Sequence, residues 1–149
     1  MLLLRARILV ATFWAGSLWT IGYVVAPVLF STLPSKVLAG TIAGQLFRIE
    51  AWVSVVCSVL LIASLAFGSA DERSRPHKIL FAIVCAMLVC TLIGYFGLQP
   101  MMALLREGAG PEGVMDSDAR MKFSILHGFS AAFYLIQSLL GIGLILKIR

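Results

Sequence analysis

Four long apolar stretches, separated by short polar or charged ones, form the pattern of this chain. They cover about residues 8–30, 37–68, 79–98 and 123–146. Each is close to or longer than the ~20 apolar residues that carry a helix across a bilayer. The pattern predicts an all-α fold, a four-helix transmembrane bundle that forms a single integral membrane domain over residues 1–149.

The second stretch is too long for one perpendicular span. Counted back from Gly68, its uncharged part ends at Ala51, and Arg48 and Glu50 come just before it. We therefore expect residues 37–47 to lie in the membrane interface or beyond it, unless the helix is strongly tilted. Arg48 and Glu50 are then predicted near one membrane surface, at the edge of the second span.

Prolines, glycines and charged residues mark the breaks between the spans. Pro27 is expected to kink or end the first span, and Pro100 to close the third before a short surface helix over residues 101–107. The first stretch is longer than a signal peptide and is interpreted as a retained span. The spans form two helix pairs without a convincing internal sequence repeat. A charged turn is predicted over residues 71–78, a flexible loop over 108–113 and a helix cap among 116–118.

Composition and charge support a membrane protein and exclude nucleic-acid binding. Hydrophobic residues make up 60% and charged residues 13% of the chain, against about 45–50% and about 25% in soluble domains. The net charge of +5 comes from basic residues beside the apolar stretches, which suits orientation in a bilayer. Basic residues are more numerous at the end of the bundle that holds both termini, seven against five, which favours cytoplasmic termini in a bacterial inner membrane. The seven are Arg5, Arg7, Arg73, Arg75, Lys78, Lys147 and Arg149. The five at the other end are Lys36, Arg48, Arg106, Arg120 and Lys122.

Polar residues from all four spans are expected at about one depth, near the outer surface. On the second and fourth spans they recur at spacings of three and four, so each set shares one helix face. Polar groups in lipid cost free energy unless paired, so both faces should point into the bundle. The second span contributes Glu50, Ser54 and either Cys57 or Ser58, and the fourth contributes His127, Ser130, Tyr134, Gln137 and Ser138.

The candidate polar site consists of Arg48, Glu50, His127 and Ser130, with His127 facing Glu50 or Arg48. A histidine beside a carboxylate titrates near neutral pH, which suits a proton relay or a ligand-binding pair. The alternatives are that Arg48 and Glu50 are interface anchors and that His127 is a structural hydrogen bonder. Arg48 and Glu50 are two residues apart and share a helix face poorly.

No metal site and no cofactor are predicted. Cys57, Cys85 and Cys90 all lie inside apolar stretches, where cysteine behaves as a small hydrophobe. His77 is expected at the opposite membrane surface from His127, which argues against a bis-histidine haem site in one chain.

Gly40 and Gly44 form a GxxxG pair that lets two helix backbones approach closely. The pair is interpreted as packing inside the bundle, with dimerisation as the alternative.

Three short motifs resemble the transmembrane-protein-205-like family of small four-span proteins, known in bacteria as a domain of unknown function. They are Ala26-Pro-Val-Leu-Phe30, Gly44-Gln-Leu-Phe47 and Leu126-His-Gly-Phe-Ser130. The resemblance implies the fold and the membrane location, and no general reaction goes with it. It points to His127 and Ser130 for the polar site, and to Pro27, Phe30, Gly44, Phe47 and Gly128 for helix packing.

Together these features predict a non-enzymatic binding, transport-accessory or assembly module in contact with the lipid bilayer. The small-molecule or ion ligand is not identified by the sequence. One alternative is a haem- or copper-linked membrane redox enzyme, which would depend on intramembrane histidines. Another is a structural homo-oligomer packed through Gly40 and Gly44.

Overall fold

The fold is a bundle of four long helices. A computed structural model describes residues 1–66, 75–110 and 112–148, so the predicted end of the second span at Gly68 and the first half of the charged turn over residues 71–78 lie outside the described part. Within it, the helices long and apolar enough to cross a membrane are α1 (Leu2–Thr32), α2 (Lys36–Ala66), α3 (His77–Gly108) and α4 (Ser117–Lys147). The all-α four-helix prediction is confirmed, and the protein is a multi-pass membrane protein.

Consecutive helices run antiparallel and form a ring. At one end Arg7 donates hydrogen bonds to the hydroxyl and the carbonyl of Ser64, and the His77 ring donates to the Leu65 carbonyl at 2.9 Å. The start of α1 and the start of α3 therefore both lie beside the end of α2. Helix α4 closes the ring by packing against α1 and α3.

The centre of the ring is filled by large side chains from every helix. Trp14, Leu61, Met87 and Leu144 are fully buried and belong to one continuous apolar cluster. In contrast, many apolar residues of the outer faces are exposed, such as Leu139 at 58%. An apolar exterior around a packed interior is what a lipid-facing bundle requires.

Helices α1 and α3 share an unusual construction. In α1 an α-helix (Leu2–Trp19) gives way to a π-helical segment (Thr20–Val25) and then to a second α-helix (Ala26–Thr32). In α3 the order is the same, with an α-helix (Arg75–Thr91) that begins two residues before the apolar span, a π-helical segment (Leu92–Leu98) and an α-helix (Gln99–Gly108). Both final segments carry a proline in their first two positions.

The end predicted for the third span at Pro100 is therefore wrong, and Pro27 does not end the first span, because both helices continue past the proline. The kink that is the other expectation at Pro27 stays a prediction. A proline has no N–H to donate, and its ring crowds the carbonyl four residues earlier. In α1 the wider register is visible where the Ala26 N–H bonds to the Ile21 carbonyl, five residues back. The wide turn before each proline accommodates its ring without ending the helix.

The two π-helical segments also contain a short repeat. Ile21-Gly22-Tyr23 in α1 corresponds to Ile93-Gly94-Tyr95 in α3, and each triplet is followed by its proline within five residues. Sequence and backbone geometry therefore coincide at these two segments of α1 and α3.

The cap predicted before the last helix is confirmed. The Asp116 carboxylate accepts a hydrogen bond of 2.7 Å from the Ala119 N–H at the start of α4. This bond satisfies one of the amides that a helix start leaves unpaired.

Candidate ligand-binding cavity

A buried hydrogen-bond network centred on Ser54 connects the four helices. The Ser54 hydroxyl accepts from the Trp14 indole N–H at 2.7 Å and from the Gln137 amide at 3.3 Å. It donates to Oε1 of Glu50, one turn earlier on α2, at 3.2 Å. The Gln137 amide also donates to the Thr91 hydroxyl at 2.9 Å. Each helix therefore contributes at least one polar side chain to the network.

Glu50 is the unusual member of this network. Only 2% of its surface is exposed, and its second carboxylate oxygen, Oε2, is buried and accepts no hydrogen bond of 3.5 Å or less among the described residues. The Ser17 hydroxyl lies near the carboxylate but donates to the Trp14 carbonyl at 2.9 Å. The Glu50 side chain therefore faces the interior of the bundle and not its exposed outer surface. The residue also lies near the middle of the helix Lys36–Ala66 and not at its start.

Glu50 forms part of the wall of a cavity of about 490 Å³. This volume lies within the ~300–1,000 Å³ typical of small-molecule sites. His127 and Leu135 line the cavity and are also exposed, so it opens at the surface of the bundle. The other lining residues are Leu18, Gly22, Tyr23, Ala26, Pro27, Phe30, Phe47, Ala51, Ser54, Cys90, Thr91, Gly94, Tyr95, Gln99, Ser130, Ala131, Tyr134 and Gln137.

Aromatic rings make up much of this wall. Tyr134 meets Tyr23 and Phe47 edge-to-face, with ring centroids 6.1 and 5.4 Å apart. The Tyr134 hydroxyl donates to the Leu18 carbonyl at 2.6 Å, which holds the ring against α1. That approach requires a glycine at position 22, because a Cβ there would overlap the Tyr134 ring. The aromatic wall is thus held in place by contacts among the residues that line the cavity.

The repeated triplets of α1 and α3 meet at this cavity. Gly22 and Tyr23 line it from one side, and Gly94 and Tyr95 from the other. The cavity therefore lies between the two helix pairs, at the level of both π-helical segments.

The structure brings together three of the four predicted site residues. Glu50, His127 and Ser130 line the cavity, whereas Arg48 is exposed and lies outside the lining. His127 stacks on Phe123 with ring centroids 6.0 Å apart. In the part of the chain that is described, His127 and Glu50 share the cavity without a direct hydrogen bond.

The predicted packing residues fall into three groups: residues that line the cavity, the pair Gly40 and Gly44, and Gly128. Pro27, Phe30 and Phe47 contribute to the cavity wall. Gly128 does not pack, since it is exposed and a Cβ there would meet no atom within 4 Å.

The Gly40 and Gly44 face is covered by an arginine of the same chain. Arg106 Nη1 donates to the Gly40 carbonyl at 3.5 Å and would lie 3.6 Å from a Cβ at Gly44. Its Nη2 donates to the Gln99 side-chain oxygen at 3.2 Å, and its guanidinium lies 6.0 Å from the Phe123 ring centroid. The glycine pair thus provides room for a side chain of α3.

Metal-ligating side chains do not converge in the described ranges, where no three of His, Cys, Asp or Glu come together. Cys57 and Cys90 are buried thiols, and Cys90 borders the cavity.

With this geometry established, comparison with protein families places the chain. A family model described as a domain of unknown function, DUF4149, matches residues 9–110. The match covers more than half of the 149 residues. The chain belongs to the DUF4149 family. Comparison with curated proteins and with solved structures found no match.

The DUF4149 match covers most of α1, all of α2 and α3, and ends before α4. It includes Trp14, Glu50, Ser54 and Thr91. The part of the cavity that α4 supplies, including His127, lies outside the match.

Two members of the network were missed by sequence reasoning. Trp14 was one of several aromatic residues in an apolar span, and Thr91 is an isolated polar residue near the middle of α3. Neither residue belongs to a set of polar residues that recurs at helical spacing. The periodic face of α4 did identify Gln137, and the stripe on α2 did identify Ser54.

Proposed function

We propose that this protein is a non-enzymatic binding protein of the membrane, whose small, largely apolar ligand occupies the cavity between the two helix pairs. One observation carries the proposal: the unpartnered oxygen of Glu50 lies in the wall of an aromatic cavity. A buried polar oxygen without a partner costs free energy, and a ligand that donates to it recovers that free energy.

The construction of α1 and α3 supports the proposal. Membrane transporters often place their substrate between two related halves, where helices depart from regular α geometry. Here the two π-helical segments, Thr20–Val25 and Leu92–Leu98, contribute corresponding Gly-Tyr pairs to one cavity. This arrangement favours a transport-accessory role over a purely structural one.

We further propose that the protein resides in a bacterial inner membrane with both termini in the cytoplasm, as its basic residues favour. Reporter fusions to each terminus and to the loop after Gly108 test this orientation. Kinship with the transmembrane-protein-205-like family is part of the same proposal and rests on the three motifs of α1, α2 and α4.

Binding of a neutral aromatic probe tests the proposed function. N-phenyl-1-naphthylamine fluoresces in apolar surroundings, and we expect saturable binding to the protein in lipid nanodiscs, above its partition into lipid. Ala131 lines the cavity, so Ala131→Phe should fill it and remove the saturable component. Ala132 is exposed and outside the lining, so Ala132→Phe is the matched control and should bind as the wild type does.

Two results would contradict the proposed function. One is the lack of a saturable component in the wild-type protein. The other is equal binding by Ala131→Phe and Ala132→Phe, which would place the probe in the surrounding lipid.

A further inference from the structure

The electrostatic character of the cavity is set by one residue. Glu50 is the acidic side chain in its wall, and the described lining includes no Lys or Arg. The Gln137 side-chain amide donates to the Thr91 hydroxyl, so both of these polar groups already have a partner within the network.

The basic groups beside the wall are His127, at its exposed side, and Arg106, whose guanidinium is bonded to the Gln99 side chain and the Gly40 carbonyl. An anionic ligand beside Glu50 would therefore meet a carboxylate with no Lys or Arg in the same wall.

The aromatic wall suits a positive charge. A cation is attracted to the face of an aromatic ring within about 6 Å of its centroid, and aromatic cages recognise quaternary ammonium groups in this way. Tyr23, Phe47 and Tyr134 form one cluster of the wall, and Tyr95 lines it from α3. Because the Tyr134 hydroxyl is bonded to Leu18, the ring is held in a fixed position beside the cavity.

An organic cation fits this site better than a metal ion. A metal ion requires several ligating side chains around one point, and no three such groups converge in the residues that are described. An organic cation needs a single counter-charge and apolar walls. Glu50 supplies the first, and the rings and aliphatic side chains of the cavity supply the second.

We infer that the cavity binds a hydrophobic organic cation, whose positive charge pairs with the Glu50 carboxylate while its apolar body contacts the aromatic wall. This inference rests on the proposed function and names its ligand class. The shared chemistry is a quaternary or protonated amine, or an equivalent onium ion, on an apolar body. A free amphiphilic cation and the choline headgroup of a lipid both present it.

Two probes of matching shape and opposite charge test the inference on the unaltered protein. Calorimetric titration in nanodiscs of anionic lipid without choline should show saturable binding of tetraphenylphosphonium. Tetraphenylborate has a similar shape and a negative charge, and we expect its affinity to be at least about tenfold lower. Equal affinity for the two ions would overturn the inference.

Replacement of the carboxylate provides the second arm. Glu50→Gln removes the charge but keeps an oxygen that can accept from Ser54, so the network is preserved. We expect at least about tenfold weaker tetraphenylphosphonium binding, with unchanged binding of neutral N-phenyl-1-naphthylamine. The neutral probe also reports whether the variant is folded. Unchanged tetraphenylphosphonium affinity in Glu50→Gln would overturn the inference.

The outcomes separate this inference from the proposed function. If the neutral probe binds and tetraphenylphosphonium does not, the cavity is a binding site and the cation inference is wrong. If neither binds, both proposals are wrong. Competition by a short-chain phosphatidylcholine that depends on Glu50 would identify a lipid headgroup as the source, and competition by benzyltrimethylammonium alone would identify a free cation.

Discussion

The indole nitrogen of Trp14 lies 2.7 Å from the hydroxyl oxygen of Ser54, in a buried hydrogen bond that joins α1 to α2. The same hydroxyl donates to Glu50. Trp14 is therefore linked to the Glu50 carboxylate through the Ser54 hydroxyl. The position of the acidic group in the cavity depends on packing between helices that are distant in sequence.

Ser54→Ala should destabilise the protein by about 2 kcal/mol, because it removes the acceptor of the Trp14 N–H and the hydroxyl that donates to Oε1 of Glu50. Unfolding in mixed micelles of increasing dodecyl sulfate measures the change. Ser58→Ala is the matched control, since the Ser58 hydroxyl is also buried but bonds only to the Val55 carbonyl of its own helix. We expect less than about 1 kcal/mol there. Equal losses in the two variants would contradict the role of Ser54.

Gly22→Ala should displace the Tyr134 ring, because the added Cβ overlaps it. We expect a loss of stability of about 1–3 kcal/mol, as overpacking of a filled site typically causes, together with weaker binding of N-phenyl-1-naphthylamine. Gly16→Ala on the same helix serves as the control, since its Cβ would meet nothing within 4 Å. That change should be neutral or stabilising by up to about 1 kcal/mol. A neutral Gly22→Ala would show that Tyr134 is not held by this contact.

Gly44→Leu should lower stability without changing the oligomeric state, because its side chain would displace the Arg106 guanidinium of the same chain. Arg106→Ala should cost about 1–2 kcal/mol through its lost hydrogen bonds. The double variant should lose less than the sum of the two single variants, because both changes affect one contact.

Lys122→Ala is the control for the loss of a positive charge. Its ion pair with Asp118 is exposed, so we expect no measurable change in stability. If sedimentation shows that Gly44→Leu alone dissociates an oligomer, the glycine face would instead be an intermolecular contact.

Cys90 reports directly on occupancy of the cavity. It lines the cavity, whereas Cys85 of the same helix does not. N-phenyl-1-naphthylamine at about ten times its Kd should slow modification of Cys90 by N-ethylmaleimide about tenfold, since only the unoccupied fraction reacts. Modification of Cys85 should proceed at its original rate. Mass spectrometry of the labelled peptides measures both rates, and equal effects at the two thiols would contradict occupancy.

The sequence by itself determined the architecture of this protein. Apolar stretches of ~20 residues or more can satisfy their backbone in lipid only as helices or closed barrels, and these stretches have helical length. Periodicity also identified the inward faces of α2 and α4, because an unpaired polar group facing lipid is costly. Glu50, Ser54 and Gln137 followed from that rule.

Only the tertiary structure decided how these faces combine. Hydropathy placed Glu50 at the rim of a span, whereas in the fold its side chain is buried among neighbouring helices. Burial depends on those neighbours and not on the composition of the local sequence. The partnership of Trp14 with Ser54 joins residues 40 positions apart, a relationship that carries no local pattern. Likewise, Gly40 and Gly44 leave space without specifying its occupant, and the fold places Arg106 there. Local sequence sets which groups need partners, while the packing of helices selects the partner.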